Sequence, residues 1–148
     1  MVPTPEFYPC VKSTVNTVLK VIDQHHAIAD GHSLDIVTLS AYLESNVVRV
    51  QLPRKMGNTT VALELLKRIP FSRLVCLHDT HYMALRKIVS DRGEKDLLDS
   101  ITRFGMGDKV GSGDRVVILD NASQTTREFL EHFAATLVTT DVFIVLVG

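Results

Sequence analysis

The chain has only two cysteines, Cys10 and Cys76, which is too few for the disulfide framework of a small secreted scaffold. Cys76 lies inside an apolar, strand-like run, where a free buried thiol is the expected state. Long hydrophobic runs are absent as well. None approaches the roughly 18 residues that a bilayer-spanning helix needs, so no membrane partner is expected. The start, Met1-Val2-Pro3-Thr4-Pro5, has neither the basic stretch nor the apolar core of a secretory leader. An excess of one charge is missing too. Lys and Arg number 16 against 17 Asp and Glu, a formal net charge of −1. That removes any general electrostatic case for nucleic acid or an anionic surface and leaves only a local basic patch. There are no internal repeats and no low-complexity tracts. These absences point to a reduced, cytoplasmic, soluble protein.

What is present is ordinary for such a protein: 45% apolar and 22% charged residues over 148 positions. That length suits a single domain, 1–148, with a substantial core. Pro3, Pro5 and Pro9 mark an irregular lead-in. From Val11 to about Ala29 the apolar residues Val15, Val18, Leu19 and Ile22 fall on a helical stripe, with Ser13 or Thr14 as the expected cap. Asp30-Gly31-His32 breaks it, and Ser33 opens a second helix through Leu34, Ile36, Val37, Leu39, Tyr42 and Leu43. Residues 1–46 therefore form a helical extension before a core at 47–148.

The core alternates. Val47–Leu52 reads as a strand and Thr59–Ile69 as a helix closed by Pro70. Arg73–His78 is a buried strand and Thr80 to about Ser90 a helix, with Thr80 available as its cap. Leu97, Leu98, Ile101 and Phe104 suggest a further short helix. Phe104–Asp114, with four glycines, reads as a surface loop. Its order, helix before and strand after, is the reverse of a dinucleotide fingerprint. Val116–Asp120 is a third strand, Gln124–Leu137 a helix and Val142–Val147 a fourth strand. Strands alternating with helices imply right-handed crossovers and a parallel sheet covered on both faces, with ligands at the carboxyl ends of the strands. The expected fold is α/β: a three-layer sandwich with a mainly parallel sheet of about four strands.

Three features are expected to converge at those strand ends, Gly57–Thr60, His78-Asp79 and Asp120-Asn121, and two of the stretches carry recognisable chemistry. In Val47–Thr60 a β-branched strand runs through Gly57 into a helix opening on Thr59 and Thr60. The free N–H groups and dipole of such a helix start favour an anion. The phosphate loop G-x-x-x-x-G-K-[ST] is the pattern to compare, with Leu52 at its first glycine and Asn58 at its lysine. The second stretch, V-V-I-L-D, is an apolar strand ending in Asp120, the form of a metal-holding nucleotide motif. L-P-R-K-M-G-N-T-T-V-A-L, R-L-V-C-L-H-D-T and R-V-V-I-L-D-N-A-S together resemble the ATPase domain of phage terminase large subunits, a P-loop NTPase family, over residues 47–122. The resemblance implies a P-loop NTPase-like fold binding ATP and Mg²⁺. On its pattern Arg54, Gly57, Thr59 and Thr60 match the phosphate loop, and Asp120 matches the metal-site aspartate, with Thr59 beside it on the metal.

Asn58 stands where the family has its phosphate-binding lysine, and Asn121 where it has the water-activating glutamate. No arginine finger, coupling segment or nuclease domain is evident within the 148 residues, so a complete packaging motor is not expected. The expected function is a degenerate P-loop protein of phage type, in the host cytoplasm, acting by binding a partner with weak or no hydrolysis. Three alternatives stand beside it. The first is an active ATPase or motor subunit in which Arg54 or Lys55 replaces the lysine. The second is a nucleic-acid-binding module, with DNA on a basic edge of Arg49, Arg54, Lys55, Arg73 and Arg115. The third is a plain fold, in which Gly57–Thr60 is a threonine-capped turn and Asp120-Asn121 an Asx turn. A protein partner and self-association into a homo-oligomer both stay open. The histidines at His25-His26, His32 and in His78-Asp79-Thr80-His81 match no standard zinc spacing, and structural or solvated roles are expected for them.

Overall fold

The computed structural model describes residues 9–31, 43, 45–52, 57–104, 113–137 and 142–148. Five strands, β1 (Val47–Val50), β2 (Ser72–Cys76), β3 (Ile101–Arg103), β4 (Val116–Asp120) and β5 (Phe143–Val147), form one sheet in the order β1-β5-β4-β2-β3. Every pairing is parallel. The helices are α1 (Pro9–Gly31), α2 (Asn58–Arg68), α3 (Asp79–Asp91) and α4 (Arg127–Ala135).

The central strands are apolar throughout because both faces are covered. All of V-V-I-L-D in β4 and all of F-I-V-L-V in β5 is buried. Alternate residues serve opposite cores. Leu74, Cys76, Val116, Ile118, Val145 and Val147 pack against Val61 and Leu65 of α2, Leu85 and Val89 of α3, and the Val11-Val15-Val18-Ile22 stripe of α1. Val75, Val117, Leu119, Ile144 and Leu146 face Phe133 and Ala134 of α4. The chain crosses the sheet one way from β1 through β2 to β3, then returns through β4 to β5. With right-handed crossovers this reversal sends α2 and α3 to one face and α4 to the other.

The α/β class, the parallel sheet and the alternation follow the sequence expectation, with specific differences. The sheet has five strands. Ile101–Arg103, expected within a short helix, pairs with β2 instead, Leu74 against Ile101 and Cys76 against Arg103. Only Lys95–Ser100 coils, as a 3-10 turn. The β-branched Ile101 and Thr102 follow it, and the Phe104 N–H donates to the Cys76 carbonyl, 2.8 Å, so the segment continues along the sheet edge. α1 begins by Pro9, which puts Ser13 and Thr14 inside the helix. Ser13 Oγ donates to the Cys10 carbonyl, 3.2 Å, rather than capping. α4 starts at Arg127, where the Thr126 hydroxyl accepts from the Phe129 N–H at 3.1 Å, and Ala122–Gln124 forms a separate 3-10 turn. The expected second helix at Ser33–Leu43 and most of the glycine-rich loop lie outside the described residues. No described helix is long and apolar enough to cross a membrane.

Leu65 has no exposed surface and sits where α2 meets the sheet. Leu65→Ala is expected to cost about 2–5 kcal/mol in urea unfolding. Lys87→Ala, on the exposed side of α3, is expected to stay within about 0.5 kcal/mol.

Candidate functional site

The C-terminal edge of the sheet collects the residues that the sequence singles out. Gly57 is the N-cap of α2 with φ 102° and ψ 25°, a left-handed conformation that a Cβ disfavours. Its carbonyl accepts from the Val61 N–H at 2.9 Å. Glycine, not threonine, occupies the cap position and makes no side-chain cap bond, so the threonine-capped turn is not what forms. The first turn holds no acidic residue, and Lys67 and Arg68 sit in the last turn. The positive end of the dipole therefore keeps its anion preference. Thr60 is buried and Thr59 half-buried.

Asn58 closes the loop. The Leu52 N–H donates to Asn58 Oδ1 at 2.8 Å, and Asn58 Nδ2 donates to the Leu52 carbonyl at 3.0 Å. One side-chain amide thus pairs with one residue's backbone as a neighbouring strand would, and pins the chain leaving β1 to the first residue of α2. The carbonyl and one N–H of Asn58 are spent inside the protein. Arg54 and Lys55 lie outside the described residues.

Asp120 ends β4 with 0% exposure. Strand alternation puts it on the same face as Val116 and Ile118, under α2 and α3. His81, in the first turn of α3, places Nε2 2.7 Å from Asp120 Oδ2, and Oδ1 accepts from the Asn121 N–H at 2.9 Å. Asn121 turns the chain with φ 59°, a left-handed position that asparagine tolerates. Cys76 ends the adjacent strand, fully buried. Burial, and secondarily the Asp120 charge, pushes its thiol up to about 12. It is a packed thiol rather than a nucleophile.

The His78-Asp79-Thr80-His81 run is pulled apart by its partners. His78 is exposed and forms the N-cap of α3 without a side-chain bond, so Thr80 does not cap it. Asp79 pairs with Arg103 of β3 and His81 turns inward to Asp120. Among the described residues no three His, Cys, Asp or Glu side chains group as metal ligands. His25 packs its ring on Phe143, centroids 4.8 Å apart. His25 and His81 thus pack within the fold, and His78 is exposed.

β5 lies between β1 and β4, so the loop strand and the Asp120 strand stand two strand spacings apart, on the order of 10 Å. Gly148 fills the gap. Its N–H donates to the Val50 carbonyl at 2.9 Å, and a Cβ added to it would meet Asn121 Cα at 3.5 Å. The sheet thus brings Gly57–Thr60 and Asp120-Asn121 to one edge. The His78–His81 run, also expected at this edge, joins them through His81, and Cys76 and Gly148 join without a sequence signal, since their placement depends on which strands are neighbours. No family model matches the chain, nor does any curated protein or solved structure.

Asn58→Ala removes two hydrogen bonds of roughly 0.5–1.5 kcal/mol each. A loss of about 1–3 kcal/mol is expected in urea unfolding, and a change within about 0.5 kcal/mol would show that the clamp contributes nothing. In thiol titration of the native protein the exposed Cys10 is expected to react and Cys76 only after unfolding. The folded Cys76 thiol ionises near 12 and the unfolded one near 9.0. Its stabilising contribution is therefore complete below pH 9.0 and declines as pH rises toward 12, so Cys76→Ala flattens the alkaline limb of the stability profile.

Proposed function

We propose that the chain is a degenerate P-loop domain, of the terminase-ATPase type that its motifs resemble, which acts by binding a protein partner and not by turning over nucleotide. The supporting observation is that the groups at the two motif positions are committed to the protein itself. Asn58 is clamped to Leu52, and Asp120 is buried against His81. Two further features support the reading: a glycine turn into a helix start, and a buried aspartate at the end of an apolar strand on the same sheet edge.

The substitutions act in one direction. A neutral amide at position 58 does not neutralise a phosphate, and losing a cation of that kind costs on the order of 10³ or more in rate. Asn121 offers no carboxylate base, a further factor of roughly 10²–10⁴. A protein partner is preferred over DNA on charge. The net charge is −1, and Lys67, Arg68, Arg73, Arg103 and Arg127 are each already engaged with carboxylates.

Phosphate release from ATP with Mg²⁺ tests this reading. The wild type is expected to show no turnover above a Thr59→Ala control. Mg²⁺-dependent hydrolysis that Thr59→Ala abolishes would contradict the proposal and favour an active site supplied with its cation by Arg54 or Lys55.

A further inference from the structure

The family resemblance implies Mg²⁺ at Asp120, and the residues there do not fit it. Mg²⁺ requires near-octahedral oxygen ligands at about 2.0–2.1 Å, loses water reluctantly and usually keeps several waters when a protein carboxylate holds it. Asp120 has 0% exposure, which leaves no room beside it for a hydrated ion. Its Oδ2 lies 2.7 Å from His81 Nε2, a separation that requires a proton between the two atoms, and its Oδ1 accepts from the Asn121 N–H. His81 Nε2 thus occupies the hydrogen-bonding position at Asp120 Oδ2 that a metal ion would otherwise use. The side chain of His81 is itself only 19% exposed.

The imidazole is also held in place from two sides. Asp79, in the same turn of α3, pairs with Arg103 of β3, while His81 reaches Asp120 of β4. The two contacts straddle β2, the strand between β3 and β4. Leu85, one turn on, has 1% exposure in the core below. Swinging His81 away to admit a cation would break the contact to β4 and leave Oδ2 of a buried carboxylate without its partner, an unfavourable state.

We propose that His81 is a built-in donor standing in the place of the divalent cation at Asp120. The site excludes Mg²⁺, and any phosphate-bearing ligand taken by the Gly57–Thr60 loop is taken without metal. Metal-free capture of a phosphate-bearing ligand rests on the P-loop reading. Exclusion of the cation rests only on Asp120 and His81.

Mn²⁺ binding followed by electron paramagnetic resonance, on the full chain without nucleotide, tests the exclusion. The wild type is expected to leave the ion free at millimolar concentration. His81→Ala, which uncovers the carboxylate, is expected to gain at least tenfold in Mn²⁺ affinity, and His81→Ala combined with Asp120→Asn to lose that gain. Sub-millimolar binding by the wild type that Asp120→Asn abolishes would overturn the proposal. So would a folded His81→Ala protein with no gain. If His81→Ala does not fold, the wild-type measurement still decides. Calorimetry with ATP separates the two readings. Binding that drops tenfold or more when EDTA replaces Mg²⁺ contradicts metal-free capture. Absence of ATP binding in both the wild type and Asn58→Lys counts against the P-loop reading and leaves cation exclusion standing.

Discussion

A carboxylate with no exposed surface, at the end of a strand made otherwise of valine, isoleucine and leucine, has to be given a partner or it opposes folding. Asp120 is in that position, and His81 supplies the partner from the first turn of α3. Much of the sheet edge is arranged by this contact. It fixes the start of α3 over β2 and β4, and the neighbouring Asp79–Arg103 pair fixes the same turn to β3. It keeps the Asp120 charge beside Cys76, whose thiol is raised by burial and by that charge. The other carboxylate oxygen takes the Asn121 N–H, which sets the left-handed turn after β4.

The second half of the edge is arranged by Asn58 in a similar way. A side chain at a position suited to meeting a ligand bonds inward, here to both backbone groups of Leu52. Between the two halves runs β5, and Gly148 just beyond it bonds to Val50 at the end of β1, where a Cβ added to it would be in contact with Asn121. The helix start at Gly57 keeps its anion-favouring end, while the side chains of Asn58 and Asp120 are engaged internally.

The layered α/β fold was legible because V-V-I-L and F-I-V-L-V are apolar without alternation, which only a sheet covered on both faces accommodates. Gly57 was legible because a strand running into a helix needs a residue that accepts positive φ at the turn. β3 was not, since three residues after a leucine-bearing coil give too little period to separate strand from helix. Neither the His81–Asp120 contact nor the Asn58 clamp was legible, for different reasons. The first depends on β2 and β4 being neighbours, which no local pattern encodes. The second pairs a side chain with backbone, and backbone leaves no signature in residue identity. The histidine run at 78–81 gave no indication that one of its members, His81, would turn inward to Asp120 while His78 stays exposed.

The contact on which this account rests can be observed directly in the imidazole nitrogen spectrum of the protein in solution. The account predicts that His81 carries its proton on Nε2, in slow exchange with water, and that Asp120→Ala abolishes the slow exchange. A His81 ring that exchanges as fast as the exposed His78, with no response to Asp120→Ala, would contradict it.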